Sequence, residues 1–69
     1  MNYIIIELQT QNGTTAVVTP AVYSDAIEAE AAFLQKCASA RLSGLPCHSV
    51  TLLKQTGEIV ARKSFEVNA

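Results

Sequence analysis

Tryptophan is absent from this chain of 69 residues, and glycine, proline, cysteine and histidine number only three, two, two and one. Each shortage closes off a class of function. The glycines, Gly13, Gly44 and Gly57, stand singly, so no glycine-rich loop precedes a helix to cradle a phosphate. Cys37 and Cys47 are too few for a secreted disulfide framework, and with no CxxC or paired-histidine spacing they do not make a metal site. Both are expected as free, largely buried thiols. The aromatic residues Tyr3, Tyr23, Phe33 and Phe65 are too scattered to stack the bases of a single strand. Charged residues make up 16% of the chain, the formal net charge is −1, and the five basic residues are dispersed. Nucleic acid is therefore not an expected partner, because phosphate binding needs clustered positive charge. No apolar run reaches membrane-spanning length, and MNYIIIELQ lacks the basic residues of an export signal. A soluble, cytoplasmic protein is expected.

Aliphatic side chains and alanine are abundant, and hydrophobic residues make up 49% of the sequence. That composition excludes disorder, and the length allows one domain over residues 1–69. A domain this small buries about 60% of the surface its unfolded chain exposes. Without disulfides or a metal, self-association as a homodimer or higher oligomer is the expected source of further stability.

The stretch Ser24 to Leu42, SDAIEAEAAFLQKCASARL, reads as the helix around which the rest is arranged. Asp25 and Glu28 have capping-box spacing, with Ser24 as the alternative cap. At about 100° per residue, Ala26, Ala29, Phe33, Cys37 and Ala40 form one apolar stripe, expected to lie on a sheet. A second stripe comprises Ile27, Ala31, Leu34, Ala38 and Leu42. One stripe suffices for an amphipathic helix, so the second is covered either by a wrapping sheet or by another copy of the chain. Glu30 and Arg41 project between the stripes. Glu30 is either a solvated rim residue or the partner of Arg41 on an antiparallel helix of a second copy. Glu28, Gln35, Lys36 and Ser39 fall on the arc expected to meet water.

Strands are expected at Asn2–Thr10, Thr14–Thr19, Cys47–Lys54 and Glu58–Val67. In the first, Ile4, Ile6 and Leu8 are expected to face the core. Asn12-Gly13 signals a type I′ hairpin that sets Val17 opposite Leu8 and Thr15 opposite Thr10. Pro20 ends the second strand or marks it as an edge. Gly44 and Pro46 end the helix. In the last strand Ile59, Ala61, Phe65 and Val67 share a face interrupted by Lys63. The expected fold is α+β, a small ββαββ unit with an antiparallel sheet of two hairpins and one helix on one face.

YIIIELQT at the start, Ser24-Asp25 followed by Glu28-Ala29-Glu30, Ala38-Ser39-Ala40, the Leu45-Pro46-Cys47-His48-Ser49 segment and a leucine pair before Gly57 together resemble a family of very short uncharacterised proteins. Those proteins occur in bacteriophages, prophages and gut Firmicutes genomes. The resemblance runs from Tyr3 to about Val60. It places an aliphatic residue at the position of Cys47, which argues against a role for that thiol, whereas His48, Glu28 and Glu30 match the family. The resemblance implies a phage context and no particular chemistry. Factors of this kind often act by binding a host component.

His48 is the candidate for a functional polar residue. On a strand its neighbours Cys47 and Ser49 point to the opposite face, which breaks up a Cys/His pair. Its ring is expected to bond a backbone group near the end of the helix connection, with a ligand or interface contact as the alternative. No nucleophile, base and orienting group converge, so no catalytic residue, metal ligand or cofactor is assigned. The expected function is a non-enzymatic, homo-oligomeric binding or structural module. Its interface would use Ile27, Ala31, Leu34, Ala38 and Leu42, with Glu30, Arg41 and His48 as further contact candidates. The alternative is a counter-defence inhibitor that sequesters a small host molecule or docks on a host protein.

Overall fold

The computed structural model describes residues 1–66 and has the α+β architecture expected, four antiparallel strands and one helix. The elements in chain order are β1 (Tyr3–Gln11), β2 (Thr14–Tyr23), α1 (Ala26–Leu42), β3 (Cys47–Lys54) and β4 (Ile59–Glu66). The sheet order is β2-β1-β3-β4, so the first strands of the two hairpins lie side by side at the centre. Val67 falls outside the described residues.

The first turn forms as its residues dictate. Asn12 and Gly13 both take positive φ, 54° and 77°, as a type I′ turn demands. Leu8 then pairs with Val17 and Thr10 with Thr15, whose hydroxyl oxygens lie 2.9 Å apart. Pro20 does not stop β2. That strand is an edge, and the register shifts between Val18 and Ala21, so the missing N–H of Pro20 falls where the ladder is already interrupted.

Helix α1 starts at Asp25, whose carboxylate accepts the Glu28 N–H at 2.9 Å, a cap contributing about 1 kcal/mol. It ends at Ser43, and Gly44 at φ 71° supplies the left-handed exit. Ala29, Phe33 and Ala40 are buried on the sheet and Cys37 is half-buried, which is the first stripe, although Ala26 stays exposed at its end. The core they enclose with the sheet comprises Ile5, Val50 and Leu52, flanked by Tyr3, Tyr23, Ala61 and Phe65. Alanine at position 29, with no accessible surface, allows close approach of helix to sheet.

The central strand presents the face opposite to the one expected. Ile5 is buried at 2% exposure and Tyr3 and Glu7 stand on its side, while Leu8 is exposed on the other. Both faces of YIII are apolar, so alternation alone does not orient this strand. What orients it is the helix, whose Lys36 reaches Glu7. The last strand differs too. A register shift lets Ala61 pair with Leu52 but Ile59 with Leu53, so Ile59 leaves the face of Ala61 and Phe65 and joins the uncovered one.

Phe33→Ala removes the largest side chain of the helix's buried stripe and is expected to lower unfolding free energy by about 3–5 kcal/mol. Urea unfolding followed by circular dichroism measures it.

Candidate functional site

A polar chain runs through the covered side of the sheet. Glu7 on β1 accepts from Lys36 of the helix at 3.0 Å through Oε1 and meets Nε2 of His48 on β3 at 3.1 Å through Oε2. The other ring nitrogen of His48, Nδ1, lies 3.1 Å from Oγ of Ser43, the residue that caps the helix C-terminus. Ser43 Oγ in turn donates to the Ala40 carbonyl at 2.8 Å and accepts the Leu45 N–H at 3.3 Å. Three elements and the helix exit are thereby tied together. Among the described residues no buried side-chain polar atom lacks a partner.

His48 is buried, as its place on the covered face of β3 requires. Its partners are the Glu7 carboxylate and the Ser43 hydroxyl, both side chains, where a backbone group was expected. A carboxylate only accepts, so Nε2 carries a proton toward Glu7. Burial pushes the Glu7 carboxyl upward, but the bonds from His48 and Lys36, with the Lys36 charge beside it, outweigh burial and hold it below its ordinary value of 4.5. Lys36, expected on the solvent arc, is half-buried because its chain lies along the helix flank to reach this carboxylate.

Serine, histidine and glutamate in line have the composition of a nucleophilic triad, but the arrangement here closes the helix end. Ser43 Oγ is already engaged by Ala40, Leu45 and His48. The neighbouring open cavity, about 460 Å³, is lined by Ala40, Arg41, Gly44, Leu45, Ser64, Phe65 and Glu66, and not by Ser43. A triad serine must present its oxygen to substrate beside oxyanion donors. Arg41 stands over this cavity with its guanidinium 6.0 Å from the centroid of the Phe65 ring, a cation–π contact that residue spacing does not reveal.

The thiols are separate and free. Cys47 pairs across to Thr10 and Glu66 on the uncovered face, while His48 pairs to Gln9 and Phe65 on the covered one. Cys37 lies in the core wall, where burial pushes its thiol up, partly offset by the charge of Lys63. Among the described residues, no three histidine, cysteine or acidic side chains gather in a metal-holding group, and no helix is long and apolar enough to cross a membrane.

The remaining candidates lie on the far side of the helix. Ile27, Leu34 and Leu42 are 80, 58 and 86% exposed, and Ala31 and Ala38 between them are exposed as well. The sheet does not wrap far enough to cover this second stripe. Glu30 and Arg41 are both exposed, and the structure does not bring either of them to His48.

Comparison with known protein families, with curated proteins and with solved structures returned no match to this chain.

Because the folded value for Glu7 is depressed, its contribution to stability is complete above pH 4.5 and is lost as pH falls through the lower folded value. Glu7→Gln is expected to cost about 1–3 kcal/mol at neutral pH and to flatten the acid side of the stability profile. Urea titrations between pH 3 and 7 test the prediction. Cys37, whose thiol burial pushes up, is expected to react with iodoacetamide more slowly than free cysteine at pH 8; mass mapping of the alkylated peptide gives the rate.

Proposed function

We propose that the protein is a non-enzymatic, homo-oligomeric binding or structural module, and an accessory factor of the phage or prophage kind that its sequence resembles. The observation that carries this reading is the uncovered helix stripe of Ile27, Leu34 and Leu42 on a chain that has few other means of gaining stability. The charges on α1 favour a second copy as its occupant. Glu28 and Glu30 lie in the N-terminal half and Arg41 in the last turn, Lys36 being engaged by Glu7, so an antiparallel pair sets the acidic end against Arg41. A two-fold axis near Leu34 then brings Ile27 against Leu42 and Ala31 against Ala38, and the alanines permit close approach. The engaged Ser43 hydroxyl supports a role without catalysis.

A second reading is favoured by the cavity beside Arg41. A guanidinium over an aromatic ring at the rim of a half-open hollow suits a small anionic or planar molecule, and such a module would act by sequestering it. A host protein docked on the helix stripe is the other form of that reading.

Native mass spectrometry of untagged protein is expected to give a discrete oligomer, with subunit association at least about tenfold weaker in Leu34→Glu, because a charge enters an apolar contact. Mass retained on the oligomer and released on denaturation would favour sequestration. A monomeric wild type would overturn the oligomer reading.

A further inference from the structure

The sheet has a second face, and the helix does not cover it. One cross-strand row on that face runs Val22, Ile4, Leu53, Ile59, one residue from each of the four strands and every one aliphatic. Leu8 lies four residues further along β1 on the same face, beyond Ile6, paired with Val17, and both are exposed. Arg62 and Glu66 are this face's charges, both on the edge strand β4. Over β3 and β4 the face also carries Ser49, Thr51 and Ser64, so its apolar surface is concentrated on the end row and along β1 and β2, where a face meant for water would be polar.

We infer that this uncovered sheet face is a second self-association surface, occupied by the same face of another copy packed sheet on sheet. The inference rests on the oligomeric reading above and adds a surface to it. Area permits it. Four strands about 4.8 Å apart and about eight residues long at about 3.3 Å each present about 500 Å² per copy and about 1,000 Å² per pair, the least that a biological interface buries.

The pattern also fits a two-fold axis running parallel to the strands between β1 and β3. That axis exchanges β1 with β3 and β2 with β4, and so lays the aliphatic row on itself, Ile4 on Leu53 and Val22 on Ile59, while Leu8 and Val17 meet the small Ser49 and Ser64 and Ile6 meets Thr51. The polar row at the other end, Thr15, Thr10, Cys47 and Glu66, likewise meets itself. Arg62 and Glu66 come to rest over β2 of the other copy, so neither meets its own kind. An axis across the strands through the Ile6 and Thr51 pair would instead set Arg62 on Arg62. Aligned packing of two twisted sheets at about 30° is compatible with the first arrangement.

The helix stripe and this face lie on opposite sides of the subunit. Occupation of both by copies builds an assembly larger than a dimer, and loss of either one leaves the dimer formed by the other.

Native mass spectrometry and light scattering of wild type, Leu34→Glu, Leu8→Lys, Val17→Lys and the Leu8→Lys/Leu34→Glu double variant test this. The expected result is a wild type larger than a dimer, dimers for each single variant and a monomer for the double. Val17 is already exposed in the subunit, so its substitution tests the face even where Leu8→Lys fails to fold, and circular dichroism establishes folding for each. Wild-type mass retained by folded Leu8→Lys and Val17→Lys would overturn the sheet-face inference while the oligomer reading stands. A monomeric wild type would overturn both.

Discussion

The Glu7 carboxylate stands on the covered side of the central strand, and the rest of the structure is arranged around that placement. A charge there needs partners, because removing an ion from water without them costs several kcal/mol. Lys36 from the helix and His48 from β3 provide them. Because side chains alternate strictly along a strand, the position of Glu7 dictates that Tyr3 and Ile5 face the helix while Ile4, Ile6 and Leu8 face away. A slip of one residue would bury Leu8 and expel the carboxylate. The ion pair thus acts as a register pin as well as a source of stability.

From that orientation follows the uneven distribution of apolar surface. The covered side holds a carboxylate, an imidazole and a half-buried ammonium group among its hydrophobic residues, so its core is narrow, with six buried apolar residues among those described, Phe33 being one of them. The displaced isoleucines and leucines stand on the other face of the sheet, and a further set stands on the outer flank of the helix. A two-layer subunit has one interior and this chain has apolar residues for more than one. That excess is the basis of the association proposed above.

The polar chain from Lys36 to Ser43 also shows why residue composition misleads at an active site. Serine, histidine and glutamate are in line, yet the serine oxygen closes the helix exit and stands apart from the cavity next to it. The hydroxyl is a cap and the imidazole a strut between cap and carboxylate. Geometry around the oxygen, and not the identity of the three residues, separates a strut from a nucleophile.

Much of this was legible in the sequence because it depends on neighbours in the chain. The hairpin turn at Asn12 and Gly13, the pairing of Leu8 with Val17, the Asp25 cap, the Gly44 exit and both helix stripes follow from local geometry and periodicity, and each is present. The second stripe of Ile27, Leu34 and Leu42 was visible in the sequence, but that the sheet leaves it exposed was settled by the packing. Only the tertiary structure decided which face of β1 is inside, because its first residues are apolar on both sides and the choice is made by Lys36 and His48, 29 and 41 residues away. It alone decided that Ile59 leaves the face of Ala61, since a register shift belongs to the pair of strands and not to either one. Local rules write the elements, and contacts distant in the chain choose among the faces those elements leave equivalent.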